Sequence, residues 1–382
     1  MSSSKKPIRA LAISDLHLGV NRLSPNRMYR SLFTELSVRL TKDIDYCFVT
    51  GDVYDRQLRT DSLESKTANQ FCSFLCSACA RNQIILIVLN GTTNHDGNQS
   101  ENFVHINAGL SEPCELYYWD KVKVHNINGI TFLSVPDNAA STHAGVQEKV
   151  SAALREAGVD KVDISLTHGL YDSHMLAGFG LEAHSAEFYL SITRTLIVNG
   201  HIHTTSRHEH LRTVGSYDCH RQGEEEAKGG WEFVIDTEKC TFEETFFENR
   251  TAYQFKRFDI SESIEDIGEA YEFVTKKLSE FKILPTCYIT LGYVGKLDMS
   301  ALLERLNDNY RGDVVFSTTK KKPPKHQFEE DDTELMDLSF LVKDVTPITP
   351  ETHCELISDW MLRNGTQYDI KHETMLEELM DG

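Results

Sequence analysis

The chain has 382 residues, 40% of them apolar and 25% charged, with nine cysteines and a formal net charge of −19. That length admits one large domain with a sizeable core and at least one smaller domain, while an odd number of scattered cysteines excludes a disulfide framework. No run approaches the ~18 uncharged apolar residues of a membrane span, and Met1-Ser2-Ser3-Ser4-Lys5-Lys6-Pro7 leads straight into a strand rather than a signal-peptide core, so the expectation is an intracellular protein with reduced thiols.

Ile8–Ser14 is an apolar run of strand length, followed at once by Asp15-Leu16-His17-Leu18-Gly19. In an extended segment Asp15 and His17 point to the same side, as two ligands of one ion do. A helix near Arg27–Leu40 leads to a second strand, Ile44–Thr50, and to Gly51-Asp52-Val53-Tyr54-Asp55. A carboxylate just past a buried strand end sits at the rim of a sheet, where α/β proteins build their sites. Residues 61–81 read as a helix with Cys72, Cys76 and Cys79 on one face. Zinc is the sharp reading of these thiols, but no second Cys or His pair lies at finger spacing, and core packing is favoured.

The third strand, Gln83–Leu89, is almost wholly apolar, as expected of a sheet covered on both faces. It ends in Asn90-Gly91-Thr92-Thr93-Asn94-His95-Asp96-Gly97, where Asn94 offers a neutral carbonyl oxygen to a metal and His95 beside Asp96 reads as an oriented imidazole for proton transfer. Short strands at Lys121–His125 and Ile130–Val135 and a helix at Val146–Ala157 follow. Two further strands, Val162–Thr167 and Thr195–Asn199, deliver His168-Gly169 and Gly200-His201-Ile202-His203. The remaining histidines, His220 among them, read as surface or packing residues, with His174 and His184 near enough to His168 to line a groove. Glu224-Glu225-Glu226 reads as a solvated charge run.

Strands at Leu211–Gly215, Trp231–Asp236 and Thr241–Phe247 close a first domain, 1–250. The pattern then becomes strand-helix-strand-helix-strand, an α+β unit over 251–319. Lys320-Lys321-Lys322-Pro323-Pro324-Lys325 breaks all periodicity and opens a linker, 320–350. Two short amphipathic helical segments in 351–382 have apolar faces of the kind that docks on a partner or packs back on its own protein. Residues 327–382 hold 15 acidic against 3 basic residues, which leaves only −7 for the rest of the chain. Such a moderate charge is compatible with a phosphate substrate when bound divalent ions supply the positive charge.

The ordered set Asp15, His17, Asp52, Asn94, His95, His168, His201 and His203 offers oxygen and nitrogen ligands and no thiolate. It suits Mn²⁺, Fe²⁺ or Zn²⁺ better than Ca²⁺ and is too large for one ion. Two ions about 3.5–4 Å apart clamp both oxygens of an in-line displacement at phosphorus, so hydrolysis of a phosphate ester is the expected reaction class.

The series Asp15-x-His17, Gly51-Asp52-x-x-Asp55, Asn94-His95-Asp96, His168-Gly169 and Gly200-His201-x-His203 resembles the calcineurin-like metallophosphoesterase superfamily over roughly residues 8–220. The resemblance implies an α/β fold of the αββα-sandwich type with a dinuclear site. Asp15, His17, Asp52 and His203 would hold one ion, and Asp52, Asn94, His168 and His201 the other. His95, oriented by Asp96, would stabilise the transition state or protonate the leaving oxygen, and Asp55 would support the loop or an imidazole from outside. The family carries Gly directly before the Asn-His-Asp triplet; here Thr93 stands there and Gly91 lies two residues earlier.

A narrower resemblance rests on the first two motifs, Gly215-Ser216, the α+β unit and the helical tail: the chain looks like the SbcD-type nuclease subunit of the double-strand-break repair complex, in its small phage or bacterial form. It implies a capping domain at 251–319, a homodimer with no membrane attachment, and C-terminal helices that bind an SbcC-type coiled-coil ABC ATPase. It also implies Mn²⁺-dependent exonuclease and endonuclease activity on DNA. The continuation Tyr217-Asp218-Cys219-His220 departs from the Pro-containing form of that family. Two other classes stay open at this level: a stand-alone phosphodiesterase or phosphatase on a non-DNA substrate, and a non-catalytic scaffold that retains the fold.

Overall fold

Ile8–Ile13 (β1), Tyr46–Thr50 (β2) and Ile85–Leu89 (β3) are apolar at nearly every position, and β2 and β3 are buried throughout. Strands that read this way need cover on both faces. In the computed structural model, which describes residues 6–20, 24–140, 142–174, 183–221, 223–224, 226–283, 287–294, 297–310 and 314–320, these three strands run parallel, with Ala10 beside Tyr46 and Tyr46 beside Ile85. Leu116–Trp119 (β4) extends the sheet in parallel beyond β3. On the other side Gly229–Asp236 (β11) and Thr241–Glu248 (β12) add as an antiparallel pair, giving the order β12-β11-β1-β2-β3-β4.

A second six-stranded sheet contains Lys123–Ile127 (β5), Ile130–Val135 (β6), Val162–His168 (β7), Thr193–Gly200 (β8), Ser206–His208 (β9) and Leu211–Thr213 (β10), in the order β5-β6-β7-β8-β10-β9. The period of two along each strand divides the apolar residues between two cores. Ala10, Phe48 and Ile87 of the first sheet share a cluster with Phe132, Ile164 and Leu196 of the second, so the sheets face each other. Leu11, Val49 and Leu86 point the other way, onto helices Pro25–Arg39 (α1), Leu63–Asn82 (α2) and Asn102–Ala108 (α3). Leu133 and Ile197 of the second sheet pack outward on His143–Ala157 (α4) and Ala186–Ile192 (α5).

The helix starts have local causes. Pro25 opens α1, and the hydroxyls of Ser62 and Thr142 accept from Ser65 N–H and Gly145 N–H at the first turns of α2 and α4. The Thr142 cap starts α4 at His143, three residues before the apolar pattern begins. Helices α3 and α5, of seven residues each, are too short for a helical period to emerge from sequence. The cysteines of α2 are core: Cys72, Cys76 and Cys79 have no exposed surface, and among the described residues no group able to hold a metal includes a thiol.

The α+β unit consists of Gln254–Asp259 (β13), Cys287–Tyr293 (β14) and Val314–Lys320 (β15), all parallel, with Ile267–Ser279 (α6) and Met299–Tyr310 (α7). It has its own core, which includes Phe258, Val274, Leu291 and Leu302. Every described element belongs to one compact unit, Met1–Pro323; the expected linker beyond Lys320 and the helical segment 351–382 lie outside the described residues. No helix among the described residues is long and apolar enough to cross a membrane.

The α+β unit is joined to the loop before β11 through a buried carboxylate. Asp218 Oδ1 accepts from Cys219 N–H and Tyr253 N–H, both at 2.7 Å, while its Oδ2 is buried without a partner. Burial pushes this carboxyl up to about 7, against the two N–H donors and the more distant Arg27 and Lys228. A carboxyl raised above its ordinary 3.8 contributes stability that is complete below pH 3.8 and is lost as pH rises through about 7. Urea titrations at pH 5 and pH 8 should therefore show the wild type losing stability relative to Asp218→Asn as pH rises. A wild-type-minus-variant difference independent of pH is the contrary result.

Candidate metal centre

The site forms where five strands end: β1, β2 and β3 of one sheet, β7 and β8 of the other. After β1 and β2 the chain does not continue as extended strand. Asp15, His17 and Asp52 have φ of 49°, 45° and 48°, and His201 after β8 has φ 82°. Non-glycine residues in this region are uncommon and concentrate at functional sites. Asp15 and His17 thus converge through a laced pair of loops rather than by simple alternation: Asp15 N–H donates to Gly51 O, His17 N–H to Asp52 O and Leu18 N–H to Val53 O, at 3.1, 3.0 and 2.8 Å.

Among the described residues, three groups of side chains could hold a metal ion: Asp15, His17 and His203; Asp52, His168 and His201; and His17, Asp55 and His95. The first two meet at Asp52. Its Oδ1 lies 3.3 Å from His168 Nε2 and its Oδ2 lies 4.0 Å from His17 Nε2, while His17 Nε2 and His203 Nε2 are 3.0 Å apart. His201 N–H donates to both Asp15 carboxylate oxygens, at 3.1 and 3.0 Å, which ties one group to the other.

Outer contacts set which ring nitrogens face inward. His168 Nδ1 donates to Thr50 O at 2.6 Å and His95 Nδ1 to Asp55 O at 2.6 Å; His203 Nδ1 meets Glu224 Oε1 at 2.7 Å. Each such contact places the proton on Nδ1 and leaves Nε2 free to bind a cation or move a proton. The third group overlaps the first at His17, whose Nδ1 lies 3.7 Å from Asp55 Oδ1; that carboxylate also pairs with Arg56 at 3.1 Å. Asp55 thus faces His17 without a hydrogen bond to it and belongs to a ligand group with His17 and His95.

The electrostatics are those of groups that want a cation. Burial opposes ionisation of Asp52, yet His168, His17 and Thr92 N–H hold it well below the usual carboxylate range. Burial likewise opposes the charge on His168, but Asp52 and Asp15 push it up to about 10. Asp15 is raised by burial, and His17 is lowered by burial and by its neighbour His220. His17 Nδ1 and His201 Nδ1 are buried without partners. Two carboxylates and four imidazoles crowded this closely offer oxygen and nitrogen donors that could hold a metal ion.

Two expectations change in the folded chain, those for Asp96 and Glu224. Asn94 is exposed, and Asp52 is met by Thr92, whose N–H donates to Oδ1 at 2.6 Å and whose hydroxyl lies 3.1 Å from Oδ2 and 3.4 Å from His168 Nε2. Asp96 does not orient His95. It is fully buried, and its two oxygens accept from Tyr54 N–H and Gly91 N–H at 2.9 Å each, stapling the loop after β2 to the loop after β3. Glu224 is not a solvated residue; it is 6% exposed beneath His203, while Glu225 lies outside the described residues.

His220 is buried too, its ring centroid 4.8 Å from that of His17 and its Nε2 3.2 Å from Asp15 O. Its sequence neighbours, Cys219 and Arg221, give no strand or glycine signal, so only the fold reveals it. His174 and His184 are packing residues: His174 Nε2 meets the hydroxyls of Ser206 and Thr213, and His184 lies against His143 and Tyr189. The site opens to solvent through a cleft of about 870 Å³, with His17, Asp52, His95, His201 and His203 in its wall.

No family model matches the sequence, and no curated protein is similar to it. Among the solved structures that match, one is similar over 63% of this chain and 100% of its own length, at 11% identity and a TM-score of 0.38, too weak a likeness to bear on fold or function.

Proposed function

We propose that the chain is a dinuclear-metal phosphodiesterase of the calcineurin-like metallophosphoesterase type, with an αββα sandwich and a small capping unit, and that it cuts DNA. The single observation behind this reading is the Asp52 carboxylate, which lies between two groups of His and Asp side chains with one oxygen towards each. Asp15, His17, His203 and one oxygen of Asp52 would hold one ion; the other oxygen of Asp52, His168 and His201 would hold the second. Two divalent ions so held supply the Lewis acidity and charge neutralisation that in-line displacement at a phosphodiester needs.

The chain's own residues do the rest. Asp15 and Asp52 bring carboxylates to a site whose other ligands are imidazoles. His95 borders the cleft with Nδ1 bonded to the Asp55 carbonyl, so Nε2 is the atom that gives or takes a proton at the scissile phosphate. DNA as substrate, Mn²⁺ as the ion, a homodimer and a coiled-coil ABC ATPase as partner are inferred from the likeness to the SbcD-type subunit. The α+β unit with its separate core supports that likeness.

The test is a nuclease assay on end-labelled duplex and single-stranded DNA with Mn²⁺ or Mg²⁺, with and without a coexpressed ATPase of that type. Mn²⁺-dependent cleavage is expected, and His95→Ala should lower it by about 10²–10⁴-fold while Mn²⁺ binding persists. Folded wild-type protein that binds Mn²⁺ but hydrolyses no phosphodiester would overturn the reading.

A further inference from the structure

We infer that Glu224 is a positioning residue that shapes one of the two ion positions selectively, by holding the His203 imidazole in place with the buried Lys228 behind it. The inference rests on the dinuclear reading above. Glu224 and Lys228 are 6% and 2% exposed, although both come from a charged stretch that would ordinarily be solvated. Glu224 Oε1 meets His203 Nδ1 at 2.7 Å, and its Oε2 accepts from His220 N–H at 2.9 Å. Lys228 Nζ donates to the His203 carbonyl at 2.9 Å and to Glu226 Oε1 at 2.7 Å, and lies 3.6 Å from Glu224 Oε2. Ser216 N–H also donates to that carbonyl, at 3.0 Å. His203 is thus held by its ring through a carboxylate and by its backbone through a buried ammonium.

The corresponding imidazole at the other position, His168, is backed differently: its Nδ1 donates to the neutral Thr50 carbonyl. A carboxylate behind an imidazole fixes its tautomer and strengthens its other nitrogen as a ligand more than a carbonyl does. Burying a lysine is costly unless it is paired, and here the pairing lies directly under the ligand. The two ion positions are therefore built with unequal outer support, and the inequality traces to Glu224.

The experiment titrates full-length protein with Mn²⁺ alone and follows free Mn²⁺ by its paramagnetic resonance signal, with thermal unfolding of the metal-free protein as a check of folding. Wild type should bind two ions. Glu224→Ala should weaken one of them by about 10–100-fold and leave the other unchanged, with Glu224→Gln, which keeps an acceptor but not the charge, falling between. His168→Ala should strike the other ion. Combining Glu224→Ala with His203→Ala should cost no more than His203→Ala alone, because the carboxylate acts through that ring. Should Glu224→Ala fail to fold, the Gln variant carries the same comparison.

Equal binding of both ions by Glu224→Ala and wild type, equal weakening of both ions, or additive losses in the double variant would each overturn the positioning role while leaving the dinuclear site intact. A wild type that binds fewer than two Mn²⁺ ions would overturn the dinuclear reading, and this inference with it.

Discussion

Asp52→Asn is expected, on the proposed dinuclear reading, to lower Mn²⁺-dependent phosphodiester hydrolysis by on the order of 10³-fold or more, since losing an outer partner alone costs about 10–100-fold and Asp52 would face both ion positions. Asparagine keeps the shape of the side chain and one acceptor oxygen but removes the charge. Mn²⁺ titration should show both ions weakened, unlike the single-ion loss expected at Glu224. Retention of two tightly bound ions in Asp52→Asn would remove Asp52 from its shared place.

The metal-free protein gives an independent readout of the same residue. His168 is pushed up to about 10 from its ordinary 6.5, so its contribution to stability is complete below pH 6.5 and is lost as pH rises through about 10. Asp52 is depressed below its ordinary 3.8, so its contribution is present above that value and is lost as pH falls. Without metal, wild type should therefore exceed Asp52→Asn in stability most clearly between about pH 4 and 6.5, with the margin shrinking toward pH 10. Urea titrations of both proteins in chelator measure this; a margin that grows with pH contradicts the pairing of Asp52 with His168.

Gly200→Ala should be strongly destabilising, because an added methyl has no room there. A Cβ there would lie 2.1 Å from Thr50 O, 2.4 Å from Ser14 Oγ and 2.7 Å from His168 Nδ1. The first of these is backbone of β2, and His168 Nδ1 is already bonded to that same carbonyl, so relief requires the facing sheet to move. Overpacking a tight interior costs about 1–3 kcal/mol and occasionally more; the backbone contact puts this case at the upper end, about 3 kcal/mol. Gly158→Ala makes the control. Its φ is +67° but nothing lies within 4 Å of a Cβ there, so only the left-handed backbone penalty of about 1–2 kcal/mol applies. Urea unfolding of the two variants tests the order, and Mn²⁺ binding by Gly200→Ala should be impaired beyond what its stability explains. Equal losses in the two variants would show that the β2–β8 approach is not tight.

Much of the site was legible because its residues obey a local rule. Asp15, Asp52, His168 and His201 each stand directly after an apolar strand or its terminal glycine, and strand ends can be read from period and composition alone. The glycines were legible as turns, but their second use was not: the tight fit of Gly200 against Thr50 O depends on the two sheets facing each other. Neighbours in sequence also misled. Asp96 follows His95, yet its carboxylate is taken up by Tyr54 and Gly91 N–H groups, and the Asp55 carbonyl holds the ring. Asn94 sits two residues from Thr92, and the path of the loop, stapled at Gly91 by Asp96, puts Thr92 against Asp52 and leaves Asn94 exposed.

By itself the sequence determined most of the strand runs, β4 and β9 excepted, the helices longer than a few turns, the α+β character of residues beyond 251, and a set of oxygen and nitrogen ligands at strand ends. Those follow from hydrophobic period and from the chemistry of individual side chains, which are local properties. Only the tertiary structure decided that Thr92 meets the Asp52 carboxylate, that Glu224 and Lys228 lie buried under His203, and that His220 packs against His17. Each of these joins residues far apart along the chain, and such pairings are set by how the two sheets and their loops close on one another, which no local pattern encodes.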